Sequence, residues 1–461
     1  EEGNVIVNKN DEEKLETKKP IKSKNNTQTP SEFMNSVIEE EIDKSLSNSY
    51  VDLESRFESK RADIVKNFED NLYRNGRRKI GENIWVGNIE IHDRSSDWFA
   101  HNHHRDDHYN NVILHVAEAV DTDVKTANHL TPPQLQLTVP PLIAQHYTEL
   151  LETDDYPPCY QIIPNLTPLT IHSWLNALET ERLERKTDDI LRRVNNANGS
   201  WEAGYFITLA RSYGFGINSD AFEQWAASIP LNDVAHHRDS IFQVEAIFMG
   251  QAGLLENTAI PERHRAEAIA DDYYKRLQKE YIYLAHKFHL EPIHHSLWRF
   301  LRLRPANFPH IRIDQLAHLY YMRKAELSQI TACNTLEQAR EALATSVTPY
   351  WETHYSFGAE SARKEKHISN LSLNLLLINA VIPTLFAYGR HKQNERLCER
   401  AFDFLEQLKA ENNHIVRIWQ RVGLNVETAA DSQALIQLKK EYCDRKNCLR
   451  CRFGYEYLKN A

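Results

Sequence analysis

The chain has 461 residues, 41 % of them hydrophobic and 10 % aromatic, which is enough for two or three folded domains rather than one. A formal net charge of −10 at pH 7 excludes a general nucleic-acid coat protein, which is basic overall, but leaves room for an enzyme with a local basic groove. The longest apolar run, Leu371–Tyr388, is interrupted by Asn374, Asn379 and Pro383 and reads as a buried helix, so no membrane association is expected.

Residues 1–28 have almost nothing to bury and are expected to form a disordered tail. Residues 29–80 are expected to be helical. Thr29-Pro30-Ser31-Glu32 has the form of a capping box, and Phe33, Val37, Ile38 and Ile42 follow at helical spacing. A second, highly charged helical stretch runs from Val51 to about Phe68. The pattern changes at Gly81. Ile84 to His92 and Asn111 to Ala117 are β-rich, and Leu135 to Val139 reads as a third, shorter strand. Between the first two lies a polar, histidine-rich connection, Ser95 to Tyr109. Residues 81–157 are therefore expected to form an α/β module around a small mixed sheet.

Pro157-Pro158 and Pro164 mark a linker, and residues 164–461 are expected to form one large all-helical domain. Trp201 to Tyr213 stops at Gly214, Ser219 can cap Phe222 to Ala227, and Pro261 opens a long amphipathic helix through Tyr273, Leu277, Tyr281 and Leu284. Trp174, Trp201, Trp225, Trp351 and Trp419 occupy helical apolar positions and read as core. The fold class expected for the whole chain is α+β.

Alternate residues of a strand share a face, so Ile89 and Ile91 point one way and Glu90 and His92 the other. A carboxylate can hold a hard cation such as Mg²⁺, and the neighbouring imidazole can orient or deprotonate a water. The connection that follows carries His101, His103, His104 and His108 with Asp97, Asp106 and Asp107, a set that suits zinc or manganese as well as magnesium. It lacks the i, i+4 histidine pair of a helical zinc protease. His104 and His108 read as solvated loop residues, and His115, inside an apolar strand, as a hydrogen-bonded core residue.

Cys443, Cys448 and Cys451 form a second cluster, interleaved with Arg445, Lys446, Arg450 and Arg452. Three close thiols can bind a soft metal, but a structural zinc or an iron–sulfur cluster wants four, and Cys159 can supply the fourth. The six cysteines are not laid out as a secreted disulfide framework, and no signal-peptide pattern opens the sequence, so a cytoplasmic protein is expected. Arg302 and Arg304 belong to a basic, proline-punctuated segment that can contact phosphates, with Trp298 or Phe308 to stack on bases. Arginine-rich turns more often pin neighbouring carbonyls and carboxylates.

Trp85-Val86-Gly87-Asn88-Ile89-Glu90-Ile91-His92, Ser95-Ser96-Asp97-Trp98 with His101 and His103, and Asn111-Val112-Ile113-Leu114-His115-Val116 resemble the signature of a bacterial domain-of-unknown-function family, the one numbered 2851. The likeness continues through Gly250-Gln251-Ala252-Gly253-Leu254-Leu255, Arg302-Leu303-Arg304-Pro305-Ala306-Asn307-Phe308-Pro309 and Asp431-Ser432-Gln433-Ala434-Leu435. The front half of that family is similar in layout to the restriction-endonuclease-like fold, in which an Asp on one strand and a Glu-x-Lys on the next bind Mg²⁺ and activate water. The resemblance implies that Glu90 is the metal carboxylate and that His92 stands at the Lys position. Family members carry a Gly-Pro-Asp-Phe segment shortly before the Trp-Val-Gly-Asn strand. This chain has none, and Asp70 is the nearest acid that could be the second metal ligand and complete a catalytic set with Glu90 and His92. His101 and His103 would then support the site or contact phosphate. Two functions stay open: a Mg-dependent nuclease-like hydrolase acting on nucleic acid, or a non-catalytic scaffold binding nucleic acid or protein on a degenerate site.

Overall fold

The computed structural model describes residues 5–7, 76–80, 83–137 and 140–460. The expected helices between residues 29 and 68, and Asp70, lie outside the described residues. The architecture is α+β, a small sheet with a large helical complement. The chain divides into two compact units. The first takes residues up to Leu178 and also Asn413–Asn425 and Leu435–Ala461; the second takes Glu179–Asn412 and Val426–Ala434. This differs from an α/β module followed by one helical domain, because the cysteine-bearing C-terminal segment returns to the unit that holds the sheet. The division falls within a continuous helix, Pro168–Asn196, rather than at the proline linker.

Five strands form the sheet: β1 (Val5–Val7), β2 (Gly76–Ile80), β3 (Asn83–Arg94), β4 (Val112–Ala119) and β5 (Gln134–Gln136). β1 lies within the segment expected to be a tail, and β2 ends the segment expected to be helical. Both pair antiparallel with β3, whereas β3–β4 and β4–β5 are parallel. The parallel pair needs a crossover, and the histidine-rich connection provides it as a short helix, Asp97–Ala100, and two 3₁₀ turns, His103–Arg105 and Asp107–Tyr109. Gly87 lets the chain enter the pair. A Cβ there would collide with the Asn111 carbonyl oxygen, which accepts from the Asn88 N–H at 2.9 Å. A register shift follows between Asn88 and Ile89.

Beyond that shift the pleat sorts the residues. Ile89, Leu114 and Val116 close one face into a small core with Ile91, Leu135 and Leu137. On the other face Glu90 lies opposite His115, and His115 in turn lies opposite Gln134. The rest of this unit is helical. Pro141–Glu152 is tied to Arg452–Asn460 by the Tyr457 hydroxyl, which donates to Glu149 Oε2 at 3.1 Å, and by an edge-to-face contact between Tyr457 and His146.

The second unit is helical apart from a two-stranded hairpin, His354–Ser356 with Ala359–Glu360. Its buried indoles have their N–H groups satisfied: Trp225 donates to the Phe248 carbonyl at 2.9 Å, Trp298 to that of Ala252 at 2.7 Å and Trp351 to Glu245 Oε1 at 2.6 Å. Trp298 is thus a core residue and not a stacking platform. Two expected helix ends change. Ser219 is the first helical residue rather than the cap, and the long helix after Pro261 is two helices, broken where Asp271 caps Tyr273. The run Asn370–Lys392 has the length and mean hydropathy (1.7) of a membrane span, more than its Asn and Pro interruptions suggest, but 67 % of its apolar window is buried within the protein. Its helix widens into a π turn over Leu377–Val381 just before Pro383, which has no N–H to donate to the preceding turn.

Candidate functional site

Glu90 and His92 share one face of β3, and the crossover folds His101 and His103 onto that face. One ligand atom from each of His92, His101 and His103 lies within 4.8 Å of the other two, and among the described residues no other trio of His, Cys, Asp or Glu meets that condition. His92 Nε2 is 3.2 Å from His101 Nδ1. Glu90 Oε1 is 3.6 Å from His103 Nε2 and 4.0 Å from His92 Nε2. His92 and His103 are buried and His101 is exposed, so the cluster is closed on the sheet side and reachable from solvent on the other.

Local structure explains the convergence. Ser95, fully buried, ends β3: its N–H donates to the Ala119 carbonyl, and its hydroxyl meets Asp121 Oδ1 at 2.9 Å and the Thr122 carbonyl at 2.8 Å. Trp98 then plugs the crossover against Val112 and Val124, donating its indole N–H to the Lys125 carbonyl at 2.9 Å. Asn102 takes a left-handed conformation (φ 63°), which turns the chain so that His103 comes back over the sheet. There His103 stacks on Tyr109, with ring centroids 3.8 Å apart.

Hydrogen bonding fixes the tautomers. Gln134 Nε2 donates to the Thr122 carbonyl at 3.0 Å, so its Oε1 faces His115 Nδ1, 3.1 Å away. An amide oxygen only accepts, hence His115 carries its proton on Nδ1 and offers a lone pair at Nε2. His92 Nδ1 sits 2.9 Å from that lone pair and must donate to it. His92 Nε2 is left with its own lone pair turned toward His101 and Glu90. Burial, reinforced by the mutual repulsion of the imidazoles, lowers the pKa of His92 to about 3 and that of His103 to about 4, and burial lowers that of His115 as well. The inner imidazoles are therefore neutral at physiological pH, the state in which histidine ligates a metal.

Other residues singled out in the sequence fall elsewhere. His108 is exposed and bonds Asp106 Oδ1 at 2.7 Å, while His104 leans on Phe99. Asp97 accepts from the Arg94 N–H at 3.0 Å, and so closes the turn after β3. Arg302 and Arg304 are exposed residues of the second unit, whereas Glu90 belongs to the first. Cys159, Cys443, Cys448 and Cys451 all lie in the first unit, unpaired by disulfides. Sequence reasoning gave no role to Gln134, Tyr109 and Asp121, and had Trp98 only as part of a matching motif. The one available signal was Gln134, a polar residue directly ahead of the strand expected at Leu135 to Val139, which in the structure opens β5.

An α+β protein whose small parallel ladder carries a buried, tautomer-fixed imidazole cluster beside a carboxylate is the class that fold and site define. The chain belongs to the family described as protein of unknown function (DUF2851), whose model matches residues 72–414. No curated protein and no solved structure matches it.

Proposed function

We propose that the chain is a metal-dependent phosphodiester hydrolase with a nuclease-like site. The ion would be held by His92, His101 and His103 with Glu90 beside them. The observation that carries this reading is the relay from Thr122 through Gln134 and His115 to His92, which holds the His92 Nε2 lone pair toward the open side of the cluster. A second hydrogen-bonded layer of this kind is what orients histidine ligands and raises their basicity. Three imidazoles favour Zn²⁺ or Mn²⁺ over Mg²⁺, which prefers oxygen ligands. A bound divalent ion would lower the pKa of a coordinated water and polarise a phosphoryl oxygen. Glu90, with its oxygen among the imidazoles, is suited to ligate or to take the proton of that water. Asp70 lies outside the described residues, and the reading does not depend on it.

An anionic substrate fits the rim: Arg94 ends β3 with its side chain 67 % exposed, and Arg105 is exposed on the turn that carries His103. The layout of β2 antiparallel to β3, then a crossover to parallel β4, with Glu90-x-His92 on the middle strand, supports the restriction-endonuclease-like likeness. Six free cysteines support a reducing compartment such as the cytoplasm.

The test is cleavage of DNA, RNA and bis(p-nitrophenyl) phosphate by the full chain loaded in turn with Zn²⁺, Mn²⁺ and Mg²⁺. Glu90→Ala and His101→Ala should abolish turnover while circular dichroism stays unchanged. Binding of a metal by these residues without cleavage of any phosphodiester would replace the hydrolase with a metal-bearing scaffold.

A further inference from the structure

The hydrolase reading leaves the cysteines unused. Four of the six lie in the first unit, and the fold brings the late trio's segment to the stretch around Cys159: Lys446, between Cys443 and Cys448, donates its ammonium to the Thr153 carbonyl at 3.1 Å, Tyr442 meets Trp174 edge to face with ring centroids 5.4 Å apart, and the three late sulfurs are near enough to act electrostatically on that of Cys159. Cys159, Cys448 and Cys451 are buried, and Cys443 is half-buried. None forms a disulfide.

Burial raises the pKa of all four thiols, and a set of nearby donors and cations partly offsets the cost of a charged sulfur there. Cys451 directly precedes the helix Arg452–Asn460, and its sulfur receives the backbone N–H groups of Phe453 and Gly454 in the first turn. Gly454 is required for that approach, because a Cβ there would collide with the Cys448 carbonyl oxygen. The indole N–H of Trp174, 3 % exposed, has no hydrogen-bond partner, and it lies near enough to the Cys451 sulfur to favour the thiolate. The ammonium groups of Lys446 and Lys439 act in the same sense on Cys448 and Cys443. A donor such as the Trp174 N–H gains little from a neutral thiol and much from a metal-bound thiolate or sulfide.

Spacing selects the guest. A tetrahedral zinc with bonds of about 2.3 Å would hold its sulfurs about 3.8 Å apart. Among the described residues the histidine trio alone has its ligand atoms all within 4.8 Å, so no three of these sulfurs are gathered as closely as one ion requires. A polynuclear cluster, with its own sulfides between the irons, spans a wider set.

We propose that Cys159, Cys443, Cys448 and Cys451 hold an iron–sulfur cluster. Ligation replaces four S–H bonds by four S–Fe bonds and releases four protons. The cluster clamps the segment after residue 435 to the turn that carries Cys159, within the first unit. This stands independently of the histidine site.

The full chain, expressed with iron and purified without oxygen, should contain iron and acid-labile sulfide in equal amounts and show a broad visible absorption that dithionite bleaches. Cys451→Ser should lose at least most of that iron and sulfide, whereas Cys333→Ser, in the second unit, should keep them. If Cys451→Ser does not fold, Cys443→Ser, at the least buried of the four, should show the same loss. Anaerobic protein free of iron and sulfide would overturn the assignment, and so would one zinc per chain released by these same substitutions.

Discussion

Gln134→Leu removes one side-chain amide on the third strand and should weaken a metal ion bound two hydrogen bonds away. In the wild type the amide oxygen 3.1 Å from His115 Nδ1 holds the proton on that nitrogen. Leucine would leave a buried N–H without a partner, at a cost of about 1–3 kcal/mol. His115 can escape this by moving its proton to Nε2, but that nitrogen lies 2.9 Å from His92 Nδ1, so His92 must then carry its proton on Nε2. Metal binding has to reverse both shifts, and the affinity falls by the free energy separating the binding tautomer from the one the free protein prefers, up to the cost of the unpartnered N–H. At about 1.4 kcal/mol per decade, 1–3 kcal/mol is a loss of roughly fivefold to a hundredfold, the range usual for a hydrogen-bonded partner of a ligand. Gln134→Glu keeps the acceptor and should bind at least as tightly as wild type. Competition for Zn²⁺ against a chromophoric chelator measures all three proteins. If Gln134→Leu and wild type agree within twofold, the relay does not orient His92 and the tautomer argument fails.

Trp98→Ala should cost about 3–5 kcal/mol, since it empties a fully buried site and orphans the Lys125 carbonyl; a lowered urea midpoint together with loss of metal binding checks it. Gly87→Ala should destabilise by about 3 kcal/mol, because its Cβ would meet both the Asn111 carbonyl oxygen and the Ile113 side chain; retention of the wild-type melting temperature would count against the register described for β3 and β4. Glu179, 5 % exposed and with one oxygen lacking a partner, has its pKa raised by burial, and by Glu406 and Asp431, from 4.5 to about 8. The native state therefore holds this proton more tightly than the unfolded chain. Its contribution to stability is full below about pH 4.5 and is lost as the pH rises through about 8, by at most about 5 kcal/mol. Glu179→Gln should flatten that fall, and parallel denaturation profiles for the two proteins between pH 5 and 9 would contradict it.

The strand carrying Glu90 and His92 was legible in the sequence because period-two alternation reports which residues share a face, and burial of Ile89 and Ile91 leaves that face little freedom. Trp225 and Trp351 in the second unit and Trp174 and Trp419 in the first were legible as core for the same reason at helical period, whereas Trp201, expected with them, is only half-buried. Other features were decided by tertiary structure. His115 reads as a core residue from its strand alone, and it is buried; its hydrogen bonds to His92 and Gln134 come from the register of three strands, which no local pattern encodes. The domain division could not be read from the prolines, because residues 435–461 pack back onto the sheet-bearing unit across more than two hundred residues of intervening chain. The meeting of Cys159 with Cys443, Cys448 and Cys451 follows from that return. Local pattern determined which faces are buried and which residue types could do chemistry. Long-range packing decided which of them meet, because contacts between distant segments depend on how whole elements dock rather than on the residues adjacent in the chain.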